Sequence, residues 1–142
     1  MVENKVGVLL RISDVNLVRA RKRLDIGEYD SAVFHSSMAV ESAANAMILY
    51  LGGSEAKNHR AVSGLATVLR RVRPELLRKE TFAKLIERGR EIQREVVHVR
   101  YPYMVNGEWL TPMEYYTREK AEAAIENAEF VVCTIRDHLK EH

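Results

Sequence analysis

Gly89-Arg90-Glu91-Ile92-Gln93-Arg94-Glu95-Val96-Val97-His98-Val99-Arg100-Tyr101-Pro102-Tyr103 closes a strongly helical run in a knot of Arg, His, Tyr and Pro. The residue before a proline is disfavoured in the α region, so the helix should stop at or just before Tyr101, leaving His98 in its last turn. Upstream, from Glu80 or Thr81, the residues Phe82, Leu85, Ile86, Gly89, Ile92, Val96 and Val99 form one stripe at about 100° per residue. Arg90, Arg94, His98 and any continuation to Tyr101 fall roughly opposite that stripe. Arg94 and His98 are four apart, within reach of a common ligand, and Arg90 lies one turn back. A face that turns away from its own core can meet only solvent, the following loop or a second subunit.

The same periodicity extends through most of the chain. Ser13 with Asp14 reads as the start of a first helix, closed by Gly27, with Leu17, Val18, Ala20 and Leu24 on its apolar side. Its basic run, Arg19, Arg21, Lys22 and Arg23, is read as a solvated face. A second helix begins at Asp30 or Ser31 and runs to Gly52-Gly53. Its alanines at 39, 43, 44 and 46 and serines at 36, 37 and 42 allow neighbouring helices to approach closely, as the middle of a bundle requires. Glu41 lies in this stretch and would need an Arg or hydroxyl partner if buried; a structural role is the preferred reading. A third helical pattern covers 59–72 through Val62, Leu65, Ala66 and Leu69, with Arg70, Arg71 and Arg73 complementing the dipole at its end. His59, near its start, is assigned to capping or solvent rather than to a metal.

Residues 101–116 are the stretch that does not read as helix, and they hold four of the six tyrosines, the only tryptophan and two of the three prolines. Asn106-Gly107 between Tyr103-Met104-Val105 and Glu108-Trp109-Leu110 predicts a two-residue hairpin. Thr111-Pro112-Met113-Glu114 has the pattern of a capping box with proline at the first helical position. The aromatics could serve function or anchor the loop, and the sequence leaves both open. From Thr117 a final amphipathic helix carries Ala121, Ala124, Ile125, Ala128, Val131, Val132, Ile135 and Leu139 nearly to His142.

At 142 residues the chain is expected to form a single domain, 1–142, with a core that needs no disulfide or metal staple. The net charge of +2, from 22 basic against 20 acidic groups, gives no overall field for nucleic acid or an anionic membrane, so any such binding must be local. Cys133 stands alone, which excludes a disulfide within one chain, fits a reducing cytoplasm, and suggests packing rather than reactivity. The first ten residues are not expected to act as a signal peptide, and no apolar run is long enough to span a bilayer. The expected fold class is therefore all-α: an antiparallel bundle of about five helices with an irregular aromatic-rich loop or small β-hairpin before the last. No metal site and no cofactor are expected.

Gly27-Glu28-Tyr29-Asp30-Ser31-Ala32, Ala39-Val40-Glu41-Ser42-Ala43, His59 with Leu65, Arg100-Tyr101-Pro102 and Glu114-Tyr115-Tyr116-Thr117, in this order and spacing, resemble the HEPN family (higher eukaryotes and prokaryotes nucleotide-binding domains). The resemblance covers most of the chain. It implies a helical bundle that commonly forms a homodimer and is often encoded beside a minimal nucleotidyltransferase in toxin and antitoxin-like pairs. In the family's ribonucleases an Arg, four to six intervening residues and a His form the catalytic motif, and two copies meet across the dimer. Counting back from His98, those spacings fall on Gln93, Ile92 and Glu91, whereas Arg94 leaves three residues between and Arg90 leaves seven. The tyrosine that some toxin members carry two places after the His is replaced by Arg100, with Tyr101 one position later.

Three functions follow. The preferred one is a module that binds a nucleotide or RNA, or a protein partner, through Arg90, Arg94, His98, Arg100 and Tyr101 by charge and stacking. The second is a metal-independent endoribonuclease in which Arg94 and His98 supply charge stabilisation and proton transfer at a composite dimer site. The third is a structural dimer without ligand, with Arg94 paired to Glu91 or Glu95 on the outer surface.

Overall fold

The computed structural model describes residues 4–141, apart from the side chains of Val97, His98 and Glu141. Five long helices, α1 (Lys5–Asp25), α2 (Tyr29–Tyr50), α3 (Ala61–Val72), α5 (Glu80–His98) and α7 (Arg118–Glu141), make an all-α antiparallel bundle. Two single-turn helices, α4 (Pro74–Leu77) and α6 (Pro112–Tyr115), and a hairpin of β1 (Tyr103–Val105) and β2 (Glu108–Leu110) connect them. None of the described helices is long and apolar enough to cross a membrane.

α2 occupies the centre, with α1, α3, α5 and α7 packed around it. Ala32, Ala39, Ala43, Ala44 and Ala46 are fully buried along it, while Val40, Met47 and Ile48 reach into the main core with Val62, Leu65, Leu69, Leu85, Ile92, Val131 and Ile135. A second cluster of Leu24, Val33, Tyr116, Ala124 and Ile125 fills the other end. Both glycines expected to end helices do so: Gly27 (φ +82) and Gly52 (φ +87) adopt the left-handed conformation after α1 and α2. The amides of Glu28 and Gly53 then bond back to the carbonyls of Arg23 and Ile48, each at 2.9 Å, satisfying exposed helix-end acceptors. Asn106 (φ 49) and Gly107 (φ 81) are both left-handed, as a two-residue hairpin requires, and Val105 pairs with Glu108 across them.

Two expectations need correction. α1 begins at Lys5 under an Asn4 cap that accepts from the Gly7 amide at 3.0 Å, two turns before Ser13. Ser13 is fully buried inside the helix and donates its hydroxyl to the Ala39 carbonyl at 2.8 Å, tying α1 to α2. Its small size, rather than its capping ability, is what the packing uses. Cys133 is exposed and not packed. The basic run on α1 is the solvated face expected, with Arg19, Arg21, Lys22 and Arg23 all exposed, and two of them form surface ion pairs, Arg21 with Glu129 of α7 and Arg23 with Glu28.

The predicted stripe of α5 faces the core, with Phe82, Leu85, Ile86, Gly89, Ile92 and Val96 buried. Gly89 crosses α3 so closely that an added Cβ would lie 2.9 Å from both γ-carbons of Val62. Gly89→Ala is therefore expected to be destabilising by about 1 kcal/mol net in urea denaturation, the clash exceeding the helix propensity that alanine brings. Combining it with Val62→Ala should cost less than the sum of the single changes.

Candidate functional site

α5 presents three different surfaces, and its apolar stripe is only one. Gln93, half-buried beside that stripe, turns to the start of α3. A helix leaves its first amides without internal partners, and the residue before α3, Arg60, supplies no side-chain cap. Gln93 supplies it instead: its Oε1 accepts from the amides of Val62 at 3.0 Å and Ser63 at 3.4 Å, and its Nε2 donates to Ser63 Oγ at 3.1 Å. The position that the ribonuclease spacing would give to an arginine is thus a cap for a neighbouring helix.

Arg90 and Arg94 flank Gln93 on the exposed face of α5, and neither has a hydrogen-bond or ion-pair partner among the described residues. The pairing of Arg94 with Glu91 or Glu95 that the structural-dimer alternative invoked is not formed. Both carboxylates point instead toward α7 and its approach: Glu91 accepts from Asn127 Nδ2 at 3.2 Å and Glu95 from the Tyr116 hydroxyl at 2.5 Å. His98 is the last residue of α5, and its side chain lies outside the described residues. Arg100 is exposed but bends back, its guanidinium carbon 5.5 Å from the centre of the Phe34 ring on α2. Tyr101 is 59% exposed in the bend that follows. The structure therefore groups Arg90 and Arg94, sends Arg100 toward α2, and leaves Tyr101 open to solvent.

Two arrangements here were not legible as sites. Glu41 of α2 does have a partner, but it is an imidazole: His59 Nδ1 lies 2.8 Å from Glu41 Oε2. His59 is thus neither a cap nor simply solvated, correcting both expectations for it. With Ser37, Val40, Val62, Ile92, Gln93 and Val96 the pair lines a cavity of about 10 Å³ where α2, α3 and α5 meet. That is room for roughly one water. On the opposite side of α5, Tyr116 is 4% exposed, and burial together with its bond to Glu95 pushes the hydroxyl well above the ordinary tyrosine range, so it remains a donor. Tyr115 stacks on Tyr103 with centroids 4.3 Å apart and carries Lys120 Nζ 3.7 Å from its ring centre. The large side chains of the loop divide accordingly. Tyr103, Tyr115 and Tyr116 anchor the hairpin, while Trp109, Met104 and Met113 project outward. No cluster of three or more His, Cys, Asp or Glu that could hold a metal occurs among the described residues.

Residues 6–138 match the HEPN domain family. The chain is 31% identical over 134 residues to "Putative toxin MJ1304" of Methanocaldococcus jannaschii, covering 94% of this chain and 88% of that one. Its fold is similar to the crystal structure of TT1696 from Thermus thermophilus, with a TM-score of 0.76, 23% identity, and 95% and 98% of the two chains covered. It is also similar to ST0689, an archaeal HEPN homologue, with a TM-score of 0.69, 18% identity, and 96% and 98% covered.

Gln93→Leu is expected to lower stability by about 1 kcal/mol, the usual cost of a lost N-cap acceptor. Gln93→Arg, which creates an Arg with four residues before His98, should lose stability similarly because a guanidinium has no acceptor. Gln93→Glu should keep the wild-type midpoint or raise it, since a carboxylate accepts both amides and favours the helix N-terminus. Urea denaturation of the three variants reads this ordering directly.

Proposed function

The chain belongs to the HEPN domain family, and on that premise we propose that it is a toxin-like protein that binds RNA or nucleotide phosphates through the outer face of α5. The observation that carries the reading is the pair Arg90 and Arg94: two exposed guanidiniums one turn apart, without protein partners among the described residues, on a helix whose other faces are already committed. Other cations of this chain do meet carboxylates, as in Lys5 with Glu55, Arg118 with Glu122 and Arg136 with Asp14. A guanidinium presents forked donors suited to phosphate, and Tyr101 beyond the helix end offers a ring on which a base can stack. Homodimerisation, with His98 and Arg100 contributing at the junction, and association with a minimal nucleotidyltransferase belong to the same proposal.

A second reading, metal-independent endoribonuclease activity using Arg94 and His98, is favoured by the word toxin in the name of the relative from Methanocaldococcus jannaschii. It predicts RNA cleavage in the presence of a chelator that His98→Ala abolishes.

Binding is measured by fluorescence anisotropy with a labelled RNA oligonucleotide across a salt series. The expected result is salt-sensitive affinity, reduced roughly tenfold by Arg90→Ala and by Arg94→Ala, each lowering the salt slope by about one. Absence of binding at low salt, or unchanged affinity in the double variant, rules out this face as the site.

A further inference from the structure

We infer that His59, oriented by Glu41, is a proton-transfer residue acting on RNA held against α5; the inference rests on the binding reading above and adds catalysis at a residue outside the Arg and His motif. With Nδ1 committed to Glu41 Oε2 at 2.8 Å, the neutral ring carries its hydrogen on Nδ1 and its lone pair on Nε2, the tautomer a general base needs. Both side chains remain accessible, His59 at 36% and Glu41 at 25%. The adjoining cavity has room for about one water, so a ligand would lie across its mouth, where the imidazole stands.

The surroundings fit a phosphodiester. Lys57 and Arg60 flank His59 in sequence, and Arg90 and Arg94 flank Gln93, which lines the same cavity and bonds the first turn of α3. All four cations are exposed and none has a hydrogen-bond or ion-pair partner among the described residues. A plain tie between loop and helix explains the pair less well. The 51–60 loop is already fixed to α2 by the Ala56 amide on Asn45 Oδ1 at 2.9 Å, and to α1 by Glu55 with Lys5. The backbone also delivers His59 at a cost, with Asn58 (φ 58) and His59 (φ 59) both in the left-handed region that side chains rarely adopt.

The step requires no metal and no co-reactant. His59 Nε2 takes the proton from a ribose 2′-hydroxyl, the 2′-oxygen bonds to the adjacent phosphorus, and the bond from phosphorus to the 5′-oxygen breaks. The departing oxygen takes a proton from water, and the resulting hydroxide recovers the proton held by His59. The products are a 2′,3′-cyclic phosphate and a 5′-hydroxyl. The cations offset charge on the phosphorane oxygens. Glu41 acts as a positioning residue that sets the tautomer.

The test is cleavage of a labelled RNA oligonucleotide at saturating concentration with chelator present, the ends identified by mass spectrometry. Wild type should yield cyclic phosphate ends, and His59→Ala should slow cleavage by roughly a hundredfold or more. Glu41→Gln should lower kcat with little change in KM. His59→Gln, which keeps a hydrogen bond to Glu41, serves if His59→Ala does not fold, and it should be equally slow. Wild-type rates in a folded His59 variant, or no cleavage by wild type, overturn the inference. An all-deoxy oligonucleotide of the same sequence separates the two failures. Binding without cleavage of its RNA counterpart defeats the dyad alone, whereas loss of binding defeats the α5 reading.

Discussion

α2 is packed by α1, α3, α5 and α7, and four neighbours can approach one helix only where its side chains are short. Alanine and serine at positions 32, 36, 37, 39, 43, 44 and 46 meet that condition, all of them buried. The serines avoid the penalty for burying a hydroxyl by bonding locally, Ser36 to the Ala32 carbonyl at 2.9 Å and Ser37 to that of Val33 at 3.1 Å. Ser13 solves the same problem from the other side of the contact by donating to Ala39. Bulk is reserved for the positions that point into the cores, Val33, Val40, Met47 and Ile48. A larger residue at an alanine position would push a whole helix outward rather than disturb a single contact.

α5 packs against α2, α3 and α7 and keeps an outer face exposed. Its stripe closes the main core, Gln93 secures α3, and Glu91 and Glu95 are engaged by Asn127 and Tyr116. What remains exposed on the outer face is Arg90 and Arg94 together with Glu87. Arg90 and Arg94 share an exposed face because they lie four apart on one helix, and the acidic residues beside them, Glu91 and Glu95, are drawn to the α7 side. The local positive character thus arises from where the carboxylates are used rather than from the net charge of +2.

Periodicity made the helices legible, and turn chemistry made the hairpin and both glycine stops legible, since each depends on residues adjacent in sequence. The start of α1 was not, because Ser13-Asp14 imitates a cap while the working cap, Asn4, precedes a first turn without an acidic residue. Of the candidate site, the outward direction of Arg90 and Arg94 followed from counting along one helix. The partners of Gln93, Glu95, Glu41 and His59 did not, because each lies on another element, 18 to 31 positions away. A residue's own helix tells which way it points, whereas what it meets there depends on how the loops return the chain. Arg100 shows the limit even at short range. One bend beyond α5 was enough to turn it from the expected group toward Phe34.

Gln93 links folding to chemistry in this chain. α3 begins without a side-chain cap of its own because the loop reaches it through Asn58 and His59 in left-handed conformations and then Arg60, none of which caps the first turn of the helix. An acceptor must therefore come from α5, and glutamine provides one where arginine could provide only donors. The arrangement that brings His59 to Glu41 is thus the same one that leaves α3 in need of Gln93, and that need removes an arginine from the position nearest His98 in the ribonuclease spacing. Under the proposed reading, charge for a phosphate comes from Arg90 and Arg94 beside it, and an oriented imidazole from the approach to α3 rather than from the end of α5.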